Sequence, residues 1–170
     1  MPPLRFPVAV IFERTTLSNR WASERWEPIA VIPPVVVAGE VAPSPVKIGD
    51  DATGTRWRFD GHAFELHPCE AEGYYLNIVA PDPKAFVMWR MREDGGDPPV
   101  FPVIVTVSYN EAARMLDGGE RVDAVPLPDG IRSWLEPFVA EHYRPEPKKK
   151  IRRNDPFRDG AFRREPGSRN

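Results

Sequence analysis

An α+β fold is predicted, built from an antiparallel β-sheet or small β-barrel of about six to seven strands followed by two C-terminal helical segments. Three observations predict it. The first half of the chain carries short apolar runs divided by turn residues, as in "FPVAVIFER" and "RWRFDGHAFELH". Helical periodicity with capping signals comes late, in "SYNEAARMLDGG" and "DGIRSWLEPFVAEHY". The 21 prolines among 170 residues favour many turns over long helices.

In "FPVAVIFER", Val8, Val10 and Phe12 alternate with Ala9, Ile11 and Glu13, the pattern of a half-buried strand. "ERWEPIAVIP" is a second strand, beginning near Glu24. The stretch between them, "SNRWASERWEP", carries Trp21 and Trp26 five residues apart, so they share no face of a strand or of a helix. The reading that resolves this puts Trp21 in the loop after the first strand and Trp26 in the sheet. Further on, Asp60-Gly61 between Trp57/Phe59 and Ala63/Phe64 has the form of a two-residue hairpin turn needing positive φ. "GYYLNIVA" and "KAFVMWRMR" read as two more strands, the latter with Trp89 and Met91 inward and Arg90 and Arg92 outward. "VFPVIVTVSY" follows the turn-rich "EDGGDPP".

Ser108 with Glu111 three residues on is a capping-box pattern, and Gly118-Gly119 ends that helix after about two turns. "RVDAVPLP" is a short extended piece. In the last segment Ile131, Trp134, Leu135, Phe138, Val139 and His142 form one apolar face, with Pro137 expected to kink the helix or start a second one. The globular domain is placed at residues 1–143, and 144–170 is read as a basic, disordered tail.

Charge divides the same way. From Arg144 onward ten Lys/Arg face four acids, a net +6 that leaves −8 on residues 1–143 out of the overall −2. A basic tail could meet nucleic acid, but a nucleic-acid-binding domain is expected to carry its charge on the folded part. The longest apolar run is broken by Pro33-Pro34 and is too short to span a bilayer. The single cysteine, Cys69, allows no internal disulfide and suits a reducing cytoplasm, and the N-terminus lacks the form of a signal peptide.

No Gly-rich phosphate loop, G-x-S-x-G or H-E-x-x-H occurs, so the sequence points to no enzyme. His67, Cys69, Glu70 and Glu72 stand close together in "HPCEAE". One Cys and one His without a partner pair make a poor ligand set, so neither metal nor cofactor is expected. Tyr109, Asn110, Glu111 and Arg114, at a helix N-terminus, are candidate ligand-binding residues. Arg20, Trp21, Glu24, Arg25 and Trp26 are the candidate partner-binding residues, because Trp and Arg combine large contact area with directional polar groups. Glu24 is expected to pair with Arg20 or Arg25.

The stretches "FPVAVIFER", "NRWASERWEP", "EAEGYYLN", "FVMWRM", "VTVSYNEAARMLDGGERVDAVPLP" and "HYRPEPKKK" run in this order from residue 6 to residue 150. Together they resemble an uncharacterised family of small bacterial proteins. Genes of that family tend to sit beside those for molybdenum-dependent formate dehydrogenases and their accessory factors. The resemblance implies a setting, the assembly or operation of a molybdoenzyme, and no reaction. The expected function is therefore a non-enzymatic, cytoplasmic accessory protein that contacts a protein of the formate dehydrogenase system. The alternative is a cofactor-binding protein with a pocket between sheet and helices, where Tyr109, Asn110 and Arg114 hold an anion such as a pterin phosphate. Nucleic-acid binding through the 148–164 tail ranks third.

Overall fold

The computed structural model describes residues 3–21, 23–41 and 44–147. Its strands are β1 (Leu4–Thr16), β2 (Glu24–Ile32), β3 (Val36–Val37), β4 (Glu40–Val41), β5 (Val46–Asp51), β6 (Gly54–Leu66), β7 (Lys84–Met91), β8 (Val100–Thr106) and β9 (Arg121–Pro126). The helices are α1 (Ala71–Ile78), α2 (Tyr109–Asp117) and α3 (Ile131–His142), with a 3-10 turn at Pro68–Glu70 before α1. One antiparallel sheet of four strands runs β2-β1-β6-β5, and a second of three runs β8-β7-β9. β3 and β4 form a small separate ribbon. The fold is α+β and mostly β.

The two sheets meet at both margins, β6 beside β8 and β2 beside β9. No backbone hydrogen bond crosses either seam among the described residues. In the core between the sheets, Phe12 is in edge contact with Phe59 of its own sheet and with Trp89 of the three-stranded sheet, at 5.4 and 5.6 Å. The alternation expected in β1 is only half of what occurs. Val8, Val10 and Phe12 face this core, but Ala9 and Ile11 are buried too. β1 is an inner strand, and its outer face is covered in part by Arg58, cross-strand from Ile11 and held by Asp60 at 2.8 Å.

Asp60-Gly61 is not a hairpin turn. β6 continues through it, and the register against β1 slips between Val8 and Val10, so that one extra β6 residue lies opposite Ala9. Gly61 has φ +88°, the left-handed conformation that a bulge glycine supplies as readily as a turn glycine does. The bulge has a packing consequence. Phe59 and Phe64 are five apart and would face opposite ways in a regular strand, yet both are buried in the core.

"GYYLNIVA", expected as a strand, is largely α1. Its composition favours a strand, but Ala71, Tyr74 and Ile78 recur at helical spacing and are buried. Asn77, fully buried, completes that stripe: Nδ2 donates to the carbonyls of Lys84 and Val107 at 2.7 and 2.9 Å, and Oδ1 accepts from Lys84 N at 3.0 Å. One amide therefore ties α1 to the start of β7 and the exit of β8. Three helices result, not two, and the first interrupts the strands. β9 separates α2 from α3, and α3 runs through Pro137 without a second start. It packs on α1 and on β1 through Phe138 against Tyr74 and Trp134 against Phe6, at 5.9 and 5.2 Å. Trp89 is inward as expected, whereas Met91, at the strand end, is exposed. Among the described residues no helix is long and apolar enough to cross a membrane. The basic stretch beyond Pro147 lies outside the described residues.

Candidate functional site

The β1–β2 connection is a narrow loop closed at its base, where Leu17 N donates to Ser23 O at 3.0 Å. At its tip the Asn19 side chain accepts from Trp21 N at 3.0 Å, a local turn that holds the backbone while the indole points outward. Trp21 is 92% exposed. Trp26 has the opposite fate. It lies in β2 opposite Arg14, packs against the core cluster, and donates Nε1 to Glu24 at 3.3 Å. Glu24 pairs with Arg14 across the ladder at 3.2 Å instead of with Arg20 or Arg25, and Arg25 pairs with Glu27 on its own strand at 2.8 Å. A period of two along a strand brings i and i+2 onto one face, which is why Arg25 meets Glu27. Of the five expected contact residues, Glu24, Arg25 and Trp26 are built into β2, Arg25 with an exposed side chain, and Arg20 and Trp21 are presented to solvent in the loop.

The second expected site is a knot between the N-termini of α1 and α2. Ser108 Oγ accepts from Glu111 N at 3.1 Å, as the capping pattern requires, and donates to Glu70 at 2.7 Å. The return half of the box is relayed: Ser108 N donates to Thr106 Oγ1 at 3.0 Å, and that hydroxyl donates to Glu111 at 2.8 Å. Arg114 is ion-paired with Glu70, Asn110 reaches Glu72 at 3.5 Å, and Tyr109 stacks edge-on to Phe86. The structure does bring Asn110, Glu111 and Arg114 to the same helix end, but each has an internal partner. Gly73 makes the knot possible. A Cβ there would lie 2.1 Å from Ser108 Oγ. Nearby, Tyr74 Oη accepts from His67 N at 3.0 Å and donates to Glu65 O at 3.3 Å, and burial pushes its pKa up to about 12.

"HPCEAE" is dispersed. Glu70 belongs to the knot, Cys69 is exposed, and His67 approaches Glu65 at 3.9 Å. Among the described residues no three His, Cys, Asp or Glu side chains are grouped to hold a metal ion.

A third region was not legible in the sequence. A cleft of about 250 Å³ opens at the β6–β8 seam, lined by His62 and Glu65 of β6, Val103 and Val105 of β8, Arg5 of β1 and Glu111 of α2. His62 lines the cleft, and desolvation lowers its pKa from the usual 6.5, opposed by the charge of Asp60. No local motif marks this cleft, because its walls come from four separate segments.

Residues 7–152 match the family model described as "Protein of unknown function (DUF3305)". The chain belongs to the DUF3305 family. The match takes in the Trp21 loop, the Ser108 knot and the seam, and it extends into the basic segment after Pro147. No curated protein and no solved structure matches the chain.

Proposed function

We propose that this DUF3305 protein is a non-enzymatic accessory protein that docks onto another protein through its β1–β2 loop. The observation that carries the reading is Trp21, almost wholly exposed at the tip of a loop whose backbone is held by its own hydrogen bonds. A tryptophan buries roughly 150–250 Å² on contact, worth about 4–6 kcal/mol gross at ~25 cal/mol/Å². A preorganised loop loses little of that to ordering. Arg20, exposed beside Trp21, gives the loop a positive charge that orients an acidic partner surface. The resemblance of "NRWASERWEP" and its companion stretches supplies the setting. The partner is a protein of the molybdenum-dependent formate dehydrogenase system.

The anion-binding alternative has less support from the geometry. Arg114, its cation, is engaged by Glu70, and Glu111 brings a carboxylate to the same place.

Affinity purification from the native host, scored by mass spectrometry for formate dehydrogenase subunits and accessory factors, tests the proposal. The Trp21→Ala/Arg25→Ala double variant is expected to keep its circular dichroism spectrum and lose the partner. Unchanged recovery by the folded variant would overturn the assignment of this loop.

A further inference from the structure

We propose that the Trp21 loop of one molecule docks into an apolar groove at the far end of β1 in a second copy of the chain, a transient head-to-tail contact that competes with the partner for the loop. The competition rests on the partner reading, and the contact between copies does not. Leu4 and Leu66, cross-strand neighbours where β1 begins, form the groove with Pro68 and with Phe138, Glu141 and His142 of α3, around a space of about 450 Å³. Leu66 and Phe138 are buried, Leu4 is 54% exposed, and the His142 ring lies on Phe138 at 4.3 Å. Pockets of about 300–1,000 Å³ hold whole small ligands, so this one admits an indole.

Position rules out a contact within one molecule. The loop follows Thr16 and the groove holds Leu4, the two ends of a 13-residue strand. At ~3.3 Å per residue, β1 is about 40 Å long. The hydrogen bond from Leu17 to Ser23 keeps the loop short at the opposite end from the groove. Every molecule thus carries both halves of the contact, and only another molecule brings them together. A pairing of two different patches on identical chains is heterologous and runs head to tail.

The chemistry of the two halves is complementary. Leu4, Leu66, Pro68 and Phe138 offer the exposed Trp21 indole an apolar surface, and burial there removes both from water. Arg20, exposed beside Trp21, suits Glu141 at the groove. That carboxylate is 76% exposed, and its ionic neighbour among the described residues is the His142 imidazole at 3.7 Å. The β6–β8 cleft lacks this match, because charged side chains of Arg5, Glu65 and Glu111 line it and an indole would strip them of water. One indole buries only about 150–250 Å², far below the ~1,200–2,000 Å² of a stable interface, so the contact is weak and depends on concentration.

The test is a dilution series of the full chain, from about 1 mM to about 50 µM, followed by proton–nitrogen correlation NMR. The Trp21 indole N–H and the backbone amides of Leu66 and His142 are expected to shift together along one concentration curve. Trp21→Ala and Leu4→Glu, each folded by circular dichroism, should each lose that dependence. Adding unlabelled Leu4→Glu to isotope-labelled Trp21→Ala should restore the shifts at Leu66 and His142, because one chain supplies the loop and the other the groove. Glu141→Arg should weaken the association several-fold, and combining it with Arg20→Glu should recover it. Concentration-independent wild-type spectra would overturn the proposal. So would a mixture without shifts, or shifts confined to Val31 and Leu127, which line a separate groove at the β2–β9 seam. In affinity purification Leu4→Glu should recover the partner at least as well as wild type. Loss of the partner from folded Leu4→Glu would give the groove to that partner and overturn the proposal. Wild-type shifts together with unchanged recovery by Trp21→Ala/Arg25→Ala would uphold it and sink the partner reading alone.

Discussion

Single residues set several properties by conformation and by charge. Ala38, in the turn of the β3–β4 ribbon, has φ +53° beside Gly39 at +82°, the pair of positive angles that this tight hairpin turn requires. Alanine is disfavoured there, so Ala38→Gly is expected to leave the fold intact and raise stability by up to about 1 kcal/mol in urea unfolding. His62 makes a pH prediction. Its folded pKa lies below 6.5 because burial disfavours the imidazolium. The unfolded chain then binds more protons below that value, so stability falls as pH drops from about 6.5 toward the folded pKa. His62→Gln should flatten this part of a pH–stability profile, and an unchanged slope would show that the loss comes from other groups. The loop position of Trp21 was readable from the sequence, because a five-residue spacing from Trp26 fits no shared face. The partner of Glu24 was not readable, since cross-strand Arg14 becomes its neighbour only through the β1–β2 register.

At the level of elements, the clearest prediction concerns the contact of α1 with α2. Gly73→Ala would drive a methyl group into Ser108 Oγ, the atom that caps α2 and binds Glu70. A loss of about 1–3 kcal/mol is expected, measured by urea unfolding of the variant against wild type. A change below about 0.5 kcal/mol would mean that the two helices part without cost. Capping chemistry made α2 legible, since Ser108 and Glu111 act within one turn. α1 was misread because its residue types favour a strand, while the stripe of Ala71, Tyr74, Asn77 and Ile78 matters only against α3 and the β7–β8 margin. The same ambiguity misled at Asp60-Gly61. A positive-φ glycine serves a turn or a bulge, and the unbroken partner strand β1 decides between them.

For the molecule as a whole, Phe12 joins the sheets through its contacts with Phe59 of the four-stranded sheet and Trp89 of the three-stranded one. Phe12→Ala should cost about 3–5 kcal/mol while near- and far-ultraviolet circular dichroism still lose signal in one transition. Separate transitions would mean that the sheets fold independently. The sequence by itself determined the strand-rich first half, the α2 cap, the apolar face of α3 and the place of Trp21 in the loop between β1 and β2. Each of these is encoded by residues within a few positions of one another. Tertiary structure alone decided the meeting of the two sheets at β6–β8 and β2–β9, the helix at Ala71–Ile78 and the engagement of Arg114 by Glu70. These depend on which distant segments become neighbours, and hydrophobic periodicity specifies a face to be buried without naming what buries it.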